Sequence, residues 1–125
     1  MKIRVYYEDT DSLGIVYHAN YLKFIERARS EAFFALGSKP EGEGFCFVVR
    51  SMKIRFIRSA KLGDHLEVKS TIIEIRAASF WLKQEIFLDG AAIFSAEVEL
   101  AHLCGGKLAK IGGEFLHSIE RAFAA

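Results

Sequence analysis

The sequence has a single proline, only two cysteines and no long hydrophobic run. The cysteines, Cys46 and Cys104, follow no CxxC or Cys/His spacing, which argues against a disulfide framework and against a structural zinc site. We expect both to be reduced, buried thiols. No apolar stretch approaches the roughly 20 residues that span a bilayer, and no signal peptide is visible. We therefore expect a soluble, cytoplasmic protein that does not cross a membrane.

Neither sign of charge predominates, because the sequence has 17 Lys and Arg residues and 16 Asp and Glu residues, which gives a formal net charge of +1. This balance gives no attraction toward nucleic acid, so no nucleic-acid partner is expected. About half of the residues are apolar, and about a quarter are charged, which is ordinary for a globular domain. A chain of 125 residues can bury one sizeable core, so residues 1–125 are predicted to form a single domain.

The best helical pattern in the chain begins near Asn20. Apolar side chains recur from there at steps of three and four residues: Leu22, Ile25, Ala28, Ala32, Phe33 and Leu36. This spacing predicts a helix over residues 20–36, with Asn20 as its N-cap and Gly37 as its terminator. Before the helix, residues 2–8 have the composition of a short strand, and residues 8–14 are polar and turn-like.

Strand patterns fill most of the chain after the helix. Residues 38–44 form a loop, and the strands that follow are predicted at 45–58, 66–73, 79–88 and 91–103. Asp89-Gly90 is a strong signal for a type I′ hairpin turn, whereas Gly105-Gly106 breaks the last strand. Residues 114–124 show a helical spacing and are predicted to form a short helix.

This order of elements predicts the fold class. An apolar helix has to be covered, and a curved antiparallel sheet that wraps around it is the economical solution, which gives an α+β fold. One helix and one sheet leave sheet edges and a sheet face poorly protected. A second copy of the chain would cover them, so a dimer or a higher oligomer is expected.

The segment 6–21 joins the first strand to the helix and contains three acids, one His and four Tyr. Asp11 is a candidate to attack a carbonyl carbon or to deprotonate a water molecule, and the residue types leave both routes open. Gly14 permits a tight turn, and backbone N–H groups at the start of the helix can polarise a carbonyl. His18 is suited to orienting water, donating a hydrogen bond or holding Asp11.

The same segment resembles the signature of the hotdog-fold acyl-CoA thioesterases of the 4-hydroxybenzoyl-CoA thioesterase type. The resemblance is closest to the YbgC branch of that family, which is associated with the Tol–Pal system. It is carried by Tyr7, Asp9-Thr10-Asp11, Gly14, Val16, Tyr17-His18 and Tyr21, then by Glu26-Arg27-Ala28-Arg29-Ser30 and by Lys61-Leu62-Gly63-Asp64. It extends from Ile3 to about Leu103.

This resemblance implies a hotdog fold, in which a long central helix is wrapped by a curved antiparallel β-sheet. It implies hydrolysis of an acyl-CoA to free acid and CoA, in a homodimer or homotetramer with active sites between subunits. Asp11 would be the catalytic carboxylate, assisted by Tyr7 and His18. CoA is part of the substrate, so no cofactor and no metal are expected. Acyl carrier protein and lipid-synthesis enzymes are further candidate partners.

Substrate contacts are expected at two places. The first is the signature segment itself, at Gly14, Val16 and Tyr17. The second is a group of basic residues on or beside one predicted strand, which could meet the CoA phosphates. Its members are Lys53, Arg55, Arg58 and Lys61. A solvent-exposed charged strand face is the more common explanation of such a group.

Each assignment has a structural alternative. Asp11 could be only a turn residue, His18 and Tyr21 could have packing roles, and Tyr7 could belong to the core with its hydroxyl satisfied. Exposure without a catalytic role is the favoured interpretation for the remaining charges near the signature: Glu8, Asp9, Lys23, Glu26, Arg27, Arg29 and Glu31.

Two other function classes also fit the sequence. A hotdog hydratase or dehydratase would pair His18 with Glu26 or Glu31. A non-catalytic module would bind acyl-CoA or acyl carrier protein without turnover.

Overall fold

A computed structural model describes residues 1–124 of the chain. Its main helix, α1, spans Asn20–Phe34, and a second helix, α2, spans Gly113–Ala122. One 3-10 turn covers Tyr7–Asp9. The six strands are β1 (Lys2–Arg4), β2 (Phe45–Phe56), β3 (His65–Ile75), β4 (Ser79–Leu88), β5 (Ala91–Cys104) and β6 (Lys107–Leu108). The predicted order of one strand, one long helix and four long strands is confirmed.

All six strands form one antiparallel sheet in the order β1-β3-β4-β5-β2, and β6 pairs with the end of β5. Irregularities in register interrupt three of the ladders, between Val49 and Ser51, Ile72 and Glu74, and Ile86 and Phe87. Such bulges bend a strand and increase its twist, so the sheet curves around α1. The strand β2 forms one edge of the sheet along its whole length.

The core lies between α1 and the concave face of the sheet. Phe24, Ile25 and Phe33 point from the helix into this space and are almost completely buried. The sheet contributes alternate residues of its central strands: Phe80, Leu82, Ile86, Phe94, Ala96 and Val98. The helix and strand periodicities of the sequence therefore meet in one apolar layer, as the α+β hotdog prediction requires.

The helix α2 closes the far end of this core. Ile119 is fully buried, and Phe123, just past the helix, packs edge-to-face against Phe33 at a centroid distance of 5.4 Å. Phe115 stacks on Phe33 at 5.7 Å. The predicted short helix is thus confirmed, and its apolar stripe completes the enclosure of α1.

Several predicted boundaries are wrong at the start of the chain. The first strand ends at Arg4, because the backbone then turns and the Tyr6 N–H donates to the Asp9 carboxylate at 2.8 Å. The N-cap of α1 is Ala19, whereas Asn20 is the first helical residue. The helix also ends two residues before the predicted Leu36.

Two predicted turns have the expected geometry. Gly37 has a φ of +71°, and the Ser38 N–H donates to the Phe33 carbonyl at 3.0 Å, which ends the helix as predicted. Asp89 and Gly90 have φ values of 52° and 80° between the paired residues Leu88 and Ala91. Positive φ at both central residues is what a type I′ turn needs, so that prediction is confirmed.

The cysteines are less buried than expected. Cys104 is exposed and Cys46 is partly exposed, so the prediction of two buried thiols is wrong. Cys104 pairs with Phe45 across the sheet, whereas Cys46 pairs with Leu103. The two thiols therefore point to opposite faces, which prevents a disulfide between them within one chain. In residues 1–124, no helix is both long enough and apolar enough to cross a membrane.

Candidate functional site

The predicted catalytic aspartate lies in a tight turn before α1. The Gly14 N–H donates to the Asp11 carbonyl at 3.0 Å, and the Leu13 N–H donates to Asp11 Oδ1 at 2.9 Å. Gly14 has a φ of +78°, a conformation that costs glycine little but strains other residues. The turn therefore fixes one carboxylate oxygen of Asp11 and leaves Oδ2 for other partners.

A buried acid anchors this turn to the start of the helix. Asp9 is 8% exposed, and its carbonyl oxygen accepts hydrogen bonds from the Tyr17 N–H and from Asn20 Nδ2, both at 2.9 Å. Its carboxylate accepts the Tyr6 N–H. The expectation that Asp9 is a solvated loop acid is wrong, because its main chain and side chain hold both ends of the segment together.

A second anchor joins the segment to the loop after β2. The Val16 N–H donates to the Ala60 carbonyl at 2.9 Å, and Ile15 and Lys61 form an isolated β-bridge. The Ala60 N–H in turn donates to the hydroxyl of Tyr21 at 3.0 Å. These contacts place the backbone of Lys61 beside the segment that carries the aspartate.

Tyr21 has the packing role that the sequence favoured. Its ring stacks on Phe94 at a centroid distance of 5.3 Å and meets Phe24 edge-to-face at 6.1 Å. Burial raises the pKa of the Tyr21 hydroxyl; the hydrogen bond from Ala60 opposes this effect and the charge of Asp64 adds to it. The hydroxyl is therefore neutral at physiological pH.

The three predicted catalytic side chains share this region but are not joined to one another. Asp11 is partly exposed, and His18 is exposed next to Tyr17 and Phe56, with ring centroids 4.5 and 6.2 Å away. Tyr7 is 81% exposed, so it is not a core residue. Within residues 1–124, no hydrogen bond connects the side chains of Asp11, His18 and Tyr7.

Backbone N–H groups at the start of α1 are partly used. The Asn20 N–H donates to the Tyr17 carbonyl at 2.8 Å, and the Leu22 N–H donates to the Ala19 carbonyl at 3.2 Å. As far as the described chain shows, the N–H groups of His18, Ala19 and Tyr21 form no backbone hydrogen bond, and those of His18 and Ala19 precede the helix, where they could polarise a ligand carbonyl.

The predicted substrate residues do not all meet. Tyr17 is exposed beside His18, whereas Val16 is only 3% exposed and packs in the core. Contact between the Val16 side chain and a substrate therefore does not fit this structure. Gly14 lies at an open turn, where an added Cβ would meet no atom within 4 Å.

The basic residues do not form one cluster either. Lys53 and Arg55 lie on the outer face of the sheet in a depression with Glu85 and Glu97. Arg58 and Lys61 follow the end of β2, on the side where Lys61 bridges to Ile15. Alternation along a strand and the turn after it explain this separation. Of these four residues, Lys61 is the one whose backbone contacts the segment that carries the aspartate.

The sequence failed to indicate a polar group inside the core. Gln84 of β4 is completely buried; its Nε2 donates to the Ile25 carbonyl and to Ser70 Oγ, and its Oε1 accepts from Arg29 Nη1, all at 2.9 Å. Burial lowers the pKa of Arg29, and the nearby charge of Glu26 opposes that shift. Arg29 is therefore not the exposed helix charge that was predicted. The one feature of the sequence that indicates a buried Gln84 is its position between Leu82 and Ile86, which share its side of the strand and belong to the core.

Beside this group, a cavity of about 290 Å³ opens between α1 and β2. Phe33, Phe47, Phe80, Leu100 and Phe123 supply its apolar walls, and Arg29, Glu26, Ser30 and Glu41 supply its polar rim. No set of three His, Cys, Asp or Glu side chains is placed to hold a metal ion anywhere in residues 1–124.

Comparison with known proteins gives concordant matches. Residues 13–93 match the family model described as the thioesterase superfamily. Acyl-CoA thioesterase YbgC of Helicobacter pylori is 55% identical over 87 residues, which cover 70% of this chain and 65% of that protein. The chain therefore matches just under two thirds of the length of that relative.

Two further matches extend over nearly the whole chain. The Haemophilus influenzae protein of the same name is 35% identical over 97% of this chain and 90% of its own length. The crystal structure of a probable thioesterase from Bartonella henselae superposes with a TM-score of 0.84, and the match covers 90% of this chain and 97% of that one at 37% sequence identity.

Proposed function

Because this chain belongs to the thioesterase superfamily, we propose that it is an acyl-CoA thioesterase, which hydrolyses the thioester bond to give free acid and CoA. The observation that carries this proposal is the turn that holds Asp11 by one carboxylate oxygen and leaves the other one available. The relatives named as acyl-CoA thioesterases supply the substrate class.

Asp11 is the proposed reactive group. Its Oδ2 either attacks the thioester carbon, giving an acyl–aspartyl anhydride that water then opens, or takes a proton from a water molecule that attacks instead. In both routes the C–S bond breaks and CoA leaves as a thiolate, which then takes up a proton. A thiolate is a good leaving group, so the site needs no strong general acid.

The developing oxyanion needs hydrogen-bond donors. The N–H groups of His18 and Ala19, at the positive end of the α1 dipole, are the proposed donors. The exposed imidazole of His18 and the exposed hydroxyl of Tyr7 are proposed to orient the attacking water or the substrate carbonyl. Gly14 gives the thioester room to approach the backbone, and Tyr17 forms an adjacent aromatic wall.

The CoA phosphates require cationic partners. Arg58 and Lys61 are proposed to bind them, because both are exposed in the segment that follows β2, and the backbone of Lys61 bridges to Ile15 beside the aspartate turn. Arg55 lies on the outer sheet face in a depression where Glu85 and Glu97 are mixed with Lys53 and Lys83, which makes it a weaker candidate.

The active form is proposed to be a homodimer or a homotetramer. The edge strand β2 (Phe45–Phe56) pairs with β5 on one side and has no strand on the other in residues 1–124, and Val48, Val49 and Phe56 are exposed along it. Such an edge is a template for pairing with a second copy. Analytical ultracentrifugation should show a dimer or larger species, whereas a monomer at micromolar concentration would contradict this assignment.

The test of the activity is thiol release by the purified protein from a panel of acyl-CoA substrates, including short, long and hydroxybenzoyl chains. Asp11→Asn should lower kcat by at least 100-fold, because it removes the nucleophile or base while keeping the side-chain size. Glu8→Gln is the matched control: it removes an exposed acid three residues away and should change kcat less than twofold.

The same assay separates the other function classes. His18→Ala and Tyr7→Phe should lower kcat by smaller factors than Asp11→Asn. A folded, oligomeric protein that releases no thiol from any substrate would refute the thioesterase proposal. Acyl-CoA binding without turnover would then indicate a binding module, and hydration of an enoyl-CoA without thiol release would indicate a hydratase.

A further inference from the structure

The cavity between α1 and β2 is lined by a cation, Arg29, that forms no salt bridge in residues 1–124, although the carboxylates of Glu26 and Glu41 line the same cavity. Arg29 lines this cavity, and among residues 1–124 no carboxylate oxygen lies within 4 Å of its guanidinium. The carboxylate of Glu26, one turn earlier, instead accepts the hydroxyl of Ser30. Partly buried cations are costly unless charged or hydrogen-bonding groups satisfy them, so this arginine calls for an explanation.

Packing of the chain fixes the position of Arg29. Its Nη1 donates to Gln84 Oε1 at 2.9 Å, and the amide of Gln84 is held by Ile25 and Ser70. This arrangement uses one of the five N–H donors of a guanidinium. The remaining donors belong to a side chain that lines the cavity, next to apolar walls formed by Phe33 and Phe47.

Residues of β2 reach both the start of α1, next to the proposed catalytic turn, and the cavity near Arg29. The strand β2 runs along α1 so that Phe56 contacts His18 and Tyr21 at the start of the helix, whereas Phe47 and Val49 line the cavity near Arg29. From Asn20 to Arg29, a helical rise of 1.5 Å per residue gives about 14 Å. An extended acyl group of medium length can span that distance.

We propose that this cavity receives the far end of the acyl group and that Arg29 selects acyl groups with an oxygen, as a hydroxyl or a carboxylate, at that end. The proposal rests on the proposed thioesterase function and assigns the substrate class of the same site. Both oxygen groups accept hydrogen bonds from a guanidinium, whereas a methyl end would leave its donors unsatisfied.

The test compares three acyl-CoA substrates of equal, medium chain length that end in a methyl, a hydroxyl or a carboxyl group. The wild-type protein should show a kcat/KM at least tenfold higher for one or both oxygen-ended substrates than for the methyl-ended one. Arg29→Met should abolish this preference mainly through the oxygen-ended substrates. Arg29→Lys, which keeps the charge but loses the planar fork, should retain part of it.

Arg27→Met is the matched control, because it removes the same charge from an exposed position on the same helix. It should leave the ratio between the substrates unchanged. Circular dichroism and sedimentation would verify that each variant is folded and assembled. Equal activity of the wild type on all three substrates, or a preference for the methyl end, would overturn the proposal. An equal loss on all three substrates in both Arg29 variants would also overturn it, since that result indicates a purely structural role.

Binding provides a readout that is independent of turnover. Non-hydrolysable thioether analogues with the same three ends should show the same order of Kd values, with a difference of at least tenfold that Arg29→Met removes. If no substrate releases thiol but this binding order holds, the thioesterase proposal fails and the selectivity of the cavity stands. If thiol is released but neither kcat/KM nor Kd depends on the acyl end, only the selectivity fails.

Discussion

The hydroxyl of Tyr21 offers a stringent test of how the Asp11 turn, the proposed catalytic turn, is held. Replacing Tyr21 with Phe keeps the ring that stacks on Phe94 and removes only the oxygen that accepts the Ala60 N–H at 3.0 Å. Ala60 is completely buried, so water cannot replace the lost partner without a rearrangement. The substitution leaves a buried backbone donor unsatisfied, at the point where the Ala60 carbonyl also binds the Val16 N–H.

The expected loss follows from the cost of one unsatisfied buried donor, about 1–3 kcal/mol. The entropy of unfolding is about 2.1 cal/mol/K per residue, which for a chain of 125 residues gives about 0.26 kcal/mol/K. Tyr21→Phe should therefore lower Tm by about 4–11 °C. Replacing the hydroxyl group with hydrogen also makes the buried ring more apolar, and this effect alone would raise the stability slightly.

Thermal and urea unfolding at one fixed protein concentration would measure this loss, since association also contributes to apparent stability. Tyr17→Phe is the matched control, because Tyr17 is substantially exposed and its hydroxyl forms no hydrogen bond within residues 1–124. That control should stay within about 0.5 kcal/mol of the wild type. Equal stability of Tyr21→Phe and the wild type would refute the idea that this hydrogen bond anchors the turn.

The pH dependence of stability gives a second readout of the same hydroxyl. Burial raises the folded-state pKa of Tyr21 above its ordinary value of 10.0. The folded protein therefore holds this proton more tightly than the unfolded chain, so the contribution to stability is complete below pH 10 and is lost as pH rises through the folded-state pKa. Above pH 10 the wild type should lose stability relative to Tyr21→Phe, and parallel curves would contradict this assignment.

Two further predictions concern the core and the turn. Phe94→Ala should lower the free energy of unfolding by about 3–5 kcal/mol, because Phe94 is 0% exposed, whereas Phe34→Ala, at a position 51% exposed, should cost far less; urea unfolding measures both. Gly14→Ala should lower the free energy of unfolding by about 1–2 kcal/mol through the φ of +78° alone, since the added Cβ meets no atom within 4 Å. It should also slow thiol release by displacing Asp11. Unchanged stability would exclude the left-handed turn.

Regular periodicity explains which parts of the fold the sequence could predict. The spacing of Leu22, Ile25 and Ala28 fits only a helix, and alternation through residues 79–103 fits only strands. Asp89-Gly90 satisfies a local requirement for positive φ, which short-range chemistry alone specifies. These signals are local, so no knowledge of the packing was needed.

The errors lie where distant contacts decide the structure. Asp9 appeared to be a solvated loop acid, but its burial depends on Asn20 and on the backbone of Tyr17. Arg29 appeared to be a surface charge, because its partner Gln84 is 55 residues away on β4. The sequence pattern places Gln84 at a core position of an alternating strand, which indicates that it needs a buried hydrogen-bond partner. The pattern does not identify Arg29 as that partner.

The two ends of α1 have different proposed tasks, and the packing of the helix connects them. Its first turn holds the Asp11 segment through Asn20 and Tyr21, whereas Arg29, about two and a half turns later, is held by Gln84 from the sheet. The hydrogen bonds of Asn20 and Tyr21 are buried and that of Arg29 is partly buried, so a change in any of them should lower stability as well as change activity. The proposed selectivity can therefore change without a change in the proposed chemistry only through residues that line the cavity and form none of these hydrogen bonds. Val49, which lines the cavity from the exposed edge strand, is one such position.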